Sequence, residues 1–191
     1  MKNMAVYCGA YAGADQRFTQ AAQALGQWLV AHDYALVYGG GGVGLMSEIA
    51  TSVLAAGGTV TGVMPENLVA RGAAMPGLTH FETVANMAVR KARMLDLADV
   101  CVALPGGVGT LEEISEAFSW ARVGDNASPC IFFNVNGYYD RLAAFFDQMV
   151  TDGFLSAADR SKVLFTADLD EMAQFIAEYQ PPKVRTYHQH H

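Results

Sequence analysis

The chain has 191 residues, 52% of them hydrophobic and 16% charged, with a formal net charge of −7. That balance suits one globular domain with a large buried core and excludes an intrinsically disordered chain. The acidic charge argues against a nucleic-acid surface. No apolar run reaches the ~20 residues of a membrane span, and Met1-Lys2-Asn3 opens no signal-peptide pattern, so a cytoplasmic protein without nucleic-acid or membrane partners is expected.

In chain order, Met4 to Cys8 reads as a buried strand that runs into a loop from Gly9 to Gly13. Asp15 to Ala31 reads as a helix with Phe18, Ala21, Ala22, Leu25, Trp28 and Leu29 on one face. Ala35 to Tyr38 is a short strand followed by Gly39-Gly40-Gly41-Gly42-Val43-Gly44. Leu45 to Ala56 is helical, Gly57-Gly58 stops it, and Thr59 to Met64 is a further strand. Pro65 to Pro76 reads as a surface loop with some helix, and Glu82 to Ala98 as a helix carrying Arg90, Lys91 and Arg93.

The stretch from Val100 to Arg122 organises the rest. Val100 to Leu104 has the length and β-branched content of a buried strand, and Pro105-Gly106-Gly107-Val108-Gly109-Thr110 makes a tight turn. Leu111, Ile114, Ala117, Phe118 and Ala121 then recur at helical spacing. Strand, glycine loop and helix in that order put bare backbone N–H groups at the positive end of a helix dipole, a natural site for phosphate or carboxylate. The competing reading is a capped βα turn, because Thr110-Leu111-Glu112-Glu113 fits the Ser/Thr-x-x-Glu capping box. On that reading Glu113 sits in the first helical turn, where the dipole favours its ionised form. Pro129 to Asn134 (strand), Tyr138 to Val150 (helix), Val163 to Thr166 (strand) and Leu169 to Tyr179 (helix) complete the pattern.

Alternating strands and helices predict an α/β fold: a single-domain, doubly wound, mostly parallel sheet with helices on both faces, Rossmann-like, spanning residues 1–180. Residues 181–191 are expected to form a disordered tail, and its histidines His188, His190 and His191 are read as a frayed terminus, not a metal site. Cys8, Cys101 and Cys130 are odd in number, with no Cys-x-x-Cys and no neighbouring histidine, so buried reduced thiols are expected and no metal. Ligands of such sheets bind beyond the carboxyl ends of the strands, where the glycine loops converge.

Gly39 to Gly44 formally satisfies G-x-G-x-x-G, with Glu66 after the next strand, which would suit a dinucleotide. A run of four glycines meets that pattern cheaply, and Leu45-Met46 after Gly44 rules out a Walker A loop. Arg90, Lys91 and Arg93 form the densest cationic cluster of an acidic chain, either a solvated face or the counter-charge of an anionic ligand.

Pro105-Gly106-Gly107-Val108-Gly109-Thr110-Leu111-Glu112-Glu113 matches PGGxGTxxE, and the chain thereby resembles the LONELY GUY (LOG) family. These are cytokinin riboside 5′-monophosphate phosphoribohydrolases, often mislabelled lysine decarboxylases. Tyr38 to Met46 resembles the family's YGGGxxGLM, Met87 to Met94 its MHERKxxM, and Asn136-Gly137-Tyr138-Tyr139-Asp140 its GYY segment. The resemblance implies hydrolysis of the N-glycosidic bond of an N6-substituted AMP, or of AMP itself, by a cofactor-free homodimer. It further implies Arg90 and Glu113 as the catalytic pair, and Gly106, Gly107, Gly109 and Thr110 as the phosphate site. Gly9, Gly39, Gly40, Gly41, Met87 and Lys91 would lie beside the nucleotide. Three departures bear on substrate preference: Ala10-Tyr11 stands for Ser-Ser, Ala88-Val89 for His-Glu, and Ser47 for Gly. The alternatives are a noncatalytic nucleotide or molybdenum-cofactor carrier of the same fold, and an NAD-binding oxidoreductase.

Overall fold

The computed structural model describes residues 1–184. The expectations for the end of the tail, including its histidines, fall outside them. The elements run β1 (Lys2–Tyr7), α1 (Gln16–Ala31), β2 (Tyr34–Tyr38), α2 (Gly44–Ala55), β3 (Val60–Pro65), α3 (Glu66–Val69), β4 (His80–Val84) and α4 (Met87–Leu97). They continue with β5 (Val100–Ala103), α5 (Val108–Val123), β6 (Cys130–Phe133), α6 (Asp140–Thr151), α7 (Ala157–Arg160), β7 (Val163–Thr166) and α8 (Leu169–Glu178). The strands form one seven-stranded sheet in the order β4-β3-β2-β1-β5-β6-β7. Every pairing within it is parallel. The doubly wound α/β architecture expected from the alternation is therefore present.

Side-chain alternation explains why helices cover both faces. Met4, Val6, Leu36, Tyr38, Val100, Val102 and Leu104 point to the side packed by α1, α2 and α8. Ala5, Tyr7, Val37, Cys101, Ala103, Cys130 and Phe132 point to the side packed by α4, α5 and α6. All three cysteines are buried and free.

Two expectations are corrected. Glu82 does not begin a helix: His80 to Val84 form an edge strand paired with β3, and α4 starts only at Met87. Asn86 is the start signal, its side chain accepting from Val89 N–H at 3.1 Å. Leu111 does not belong to the buried stripe of α5; it is exposed, and Thr110 and Glu113 take the inward positions.

Successive strands laid from β1 run outward to β4, after which β5 returns to the other side of β1. The switch point thus lies between β1 and β5. Tyr7 pairs with Ala103 and Val6 with Tyr38, so the chain leaves the sheet at one level after all three strands. This register, set by the buried side chains, brings three glycine loops to one place.

Candidate active site

The three loops are joined by backbone contacts. Gly9 N–H donates to Pro105 C=O at 3.1 Å, and Leu45 N–H donates to Gly9 C=O at 3.1 Å. A Cβ on Gly44 would stand 2.4 Å from the Ala10 carbonyl carbon, and φ there is +57°, so two loops meet through a residue that must lack a side chain. Between them opens a cavity of about 670 Å³, of the size that holds small ligands. Its floor and walls include Cys8, Gly9, Gly39, Gly41, Arg90, Glu113 and the loop from Pro105 to Thr110. Phe18, Met46, Met64, Leu68, Met87 and Tyr138 give it an apolar side.

Helix α5 starts with Gly107 as its N-cap, with no side-chain cap and no acidic residue in the first turn. The first hydrogen bond closing the helix is Leu111 N–H to Gly107 C=O, at 3.1 Å. The amides before it are the unsatisfied donors of the terminus. The capping-box reading is thus overturned, since Thr110 lies inside the helix and its side chain caps nothing. A Cβ on Gly106 would stand 2.2 Å from Thr110 Oγ1 and 2.9 Å from Gly9 N, so the loop closes only around a glycine.

Glu113 lies beyond the first turn, on the inward stripe, with 9% of its side chain exposed. Arg90, 11% exposed, reaches it from α4, and Nη2 donates to Glu113 Oε1 at 3.1 Å. Burial raises the Glu113 pKa above the ordinary carboxylate value, and the adjacent Arg90 opposes that shift. The expectation that Glu113 sits in the first helical turn is corrected; burial works against its charge, and Arg90 supplies the counter-charge. Arg90 Nη1 also contacts Met87 Sδ at 3.5 Å, and its Nε–H is buried without a protein partner. Gly39 makes the guanidinium's position possible, because a Cβ there would stand 2.2 Å from Nη2. Burial also raises the pKa of the Cys8 thiol on the cavity wall, and Glu113 adds to the effect.

Gly40 and Lys91 do not line the cavity. Gly40 adopts φ +74°, a turn-making role. Lys91 pairs with Glu112 at 2.8 Å and Glu116 at 2.7 Å, bracing α4 against α5. Of the departures from the family motifs, Ala10 and Tyr11 line the cavity, whereas Ala88 and Val89 are exposed on the first turn of α4. Ser47 Oγ donates to Gly44 C=O at 3.1 Å. The site also gathers Phe18, Met46 and Tyr138, for which residue type alone gave no role. Among the described residues no group of His, Cys, Asp or Glu is placed to hold a metal ion.

A family described as possible lysine decarboxylase matches residues 46–176. A protein of Rhodococcoides fascians named cytokinin riboside 5′-monophosphate phosphoribohydrolase is 41% identical over 170 residues, 88% of this chain and 86% of its own. The Oryza sativa subsp. japonica protein named Probable cytokinin riboside 5′-monophosphate phosphoribohydrolase LOGL9 is also 41% identical, over 94% of this chain and 79% of its own. The chain belongs to the LOG family. Among solved structures, the molybdenum cofactor carrier protein of Chlamydomonas reinhardtii superposes with a TM-score of 0.68 at 21% identity, covering 93% of this chain and 99% of that one. That likeness extends the LOG fold to a second group of proteins and speaks to the fold alone. The motifs that mark the LOG family fall on the loops and helix starts around the cavity.

Proposed function

We propose that the protein hydrolyses the N-glycosidic bond of adenosine 5′-monophosphates, N6-substituted or plain, to the free base and ribose 5-phosphate. The observation that carries this reading is the buried Arg90–Glu113 pair, 3.1 Å apart and facing a glycine loop at a helix N-terminus. The loop amides of Gly106 to Thr110 bind the 5′-phosphate, which places the ribose towards Glu113. The apolar side chains of Met46, Met64, Leu68 and Phe18 offer a surface for the base and its substituent.

The bond between C1′ and the base nitrogen breaks with the electron pair leaving on the base, a water oxygen bonds to C1′, and the proton that water loses ends on the departed base. The transition state carries oxocarbenium character, so a carboxylate beside it stabilises the cation or takes the water's proton. Glu113 is that group. Arg90 keeps it ionised and oriented, and its unpartnered Nε–H remains available to an oxygen of the substrate. A carrier needs no such pair, and this distinction favours the hydrolase over the noncatalytic alternative.

The exposed apolar residues Val89, Val108 and Leu111, on the first turns of α4 and α5, support a homodimer whose interface borders the cavity. Three free cysteines suit a cytoplasmic setting, and no described helix is long and apolar enough to cross a membrane. Incubation with a panel of nucleoside monophosphates, followed by chromatography of the released base, tests the activity. Absence of base release from every adenine nucleotide would refute it.

A further inference from the structure

The segment after β6 takes no part in the reaction proposed above, yet it reaches back across the sheet edge to the glycine loop. Asn136 and Gly137 both adopt left-handed backbone conformations, with φ of +54° and +68°. Asparagine and glycine tolerate that region best. Together they turn the chain so that Tyr138 and Tyr139 face the loop that follows β5.

The two tyrosines and Gly9 hold three successive carbonyls there. Tyr139 Oη donates to Leu104 C=O at 2.8 Å, Gly9 N–H to Pro105 C=O at 3.1 Å, and Tyr138 Oη to Gly106 C=O at 2.5 Å. The third of these bonds matters most for an anion. In a trans peptide the C=O and N–H of one unit point in opposite directions. Fixing the Gly106 carbonyl therefore fixes where the Gly107 N–H points. A donor on the carbonyl also polarises the unit and strengthens its N–H as a donor. Glycines on both sides of that peptide would otherwise let it rotate freely.

We infer that Tyr138 is a positioning residue for the phosphate subsite, holding the Gly106–Gly107 peptide with its N–H directed at the anion. Its ring is held in turn by Phe18, edge-to-face at 5.8 Å, and by Tyr139 at 4.9 Å. Tyr138 is 46% exposed and lines the cavity, whereas Tyr139 is buried, so the hydroxyl of Tyr138 can be removed without opening the core. The inference rests on the reading that this loop receives the 5′-phosphate.

The test is Tyr138→Phe, which keeps the ring and loses one hydrogen bond. Three measurements on one preparation are compared with the parent protein: KM and kcat for AMP, and calorimetric affinities for ribose 5-phosphate and for adenosine. The affinity for ribose 5-phosphate is expected to fall about five- to tenfold, the range of one net hydrogen bond. KM for AMP should rise by the same factor, more than kcat falls, and adenosine affinity should stay put. Unchanged ribose 5-phosphate affinity overturns the inference, as does an equal loss for adenosine, which would make the hydroxyl a shaper of the whole pocket. If the parent protein releases no base from AMP, the proposed reaction fails while the ribose 5-phosphate measurement still judges Tyr138. If the parent binds no ribose 5-phosphate, the phosphate reading of the loop and the role of Tyr138 fall together.

Discussion

Glu113→Gln is the perturbation that separates chemistry from architecture most cleanly in this site. The amide keeps the size of the carboxylate and an oxygen able to accept from Arg90 Nη2 at the observed 3.1 Å. It removes the charge and exchanges one acceptor oxygen for an NH₂ donor. Two contributions to stability then oppose each other. The raised Glu113 pKa means that folding works against the charged form, so replacing a desolvated carboxylate by an amide relieves a cost. Against this, Arg90 loses its counter-charge at a position only 11% exposed. Because the hydrogen bond survives, the net change is expected within ~2 kcal/mol, or a few degrees in melting temperature. Capping contributes nothing, since Glu113 caps no helix. Turnover should respond differently: loss of one electrostatic or general-base contribution lowers it by ~100- to 1000-fold, about 3–4 kcal/mol of transition-state stabilisation. The assay is base release from AMP under saturation, with melting temperature and AMP affinity measured on the same preparation. A folded, AMP-binding variant that retains turnover within about tenfold of the parent would refute Glu113 as the reacting carboxylate.

Other consequences follow from the same geometry. The reaction requires Glu113 ionised, and burial raises its pKa, so activity should fall on the acid side at a pH above the ordinary carboxylate range. A pH–kcat profile reads this, and Glu113→Gln should abolish that limb. The same raised pKa makes the folded state bind the proton more tightly, so this group's contribution to stability declines as pH rises from the unfolded pKa through the folded one. Gly39→Ala places a Cβ against the flexible tip of Arg90, 2.2 Å from Nη2 in the present position, and the guanidinium must swing away. A drop of at least ~10-fold in turnover with an almost unchanged melting temperature is expected, the signature of a misplaced catalytic group. Gly106→Ala meets backbone as well as Thr110, so it should cost both activity and roughly 1–3 kcal/mol of stability by chemical denaturation. Lys91→Met removes the brace between α4 and α5 and should cost about 1 kcal/mol. Its effect on KM for AMP should be far smaller than that of Arg90→Met.

Periodicity and glycine placement carried the parallel sheet and the loops at its edge. Buried strands such as Val100–Ala103 have no polar face to confuse them, and glycines mark where the backbone must bend or be approached. The glycine loop after β5 and the two members of the buried Arg90–Glu113 pair were likewise legible, through PGGxGTxxE and the arginine of the match over Met87 to Met94. What the sequence could not contain was the partner of each side chain. Thr110 and Glu113 satisfy a capping box by local spacing, but the box exists only if Thr110 is the N-cap and the helix begins at Leu111. It begins at Val108, because the loop closes through Gly9 and Gly106, residues almost a hundred positions apart. Extending the inward stripe of α5, Ile114, Ala117, Phe118 and Ala121, to its polar members Thr110 and Glu113 places Glu113 on the inward face. The edge strand His80–Val84 was missed for the opposite reason: it buries too little to show an alternating pattern. Lys91 and Arg90 are adjacent on one helix, and spacing gave them the same weight. Only the packing of α4 against α5 sends one to a pair of surface carboxylates and the other to the buried one, because neighbours on a helix point about 100° apart.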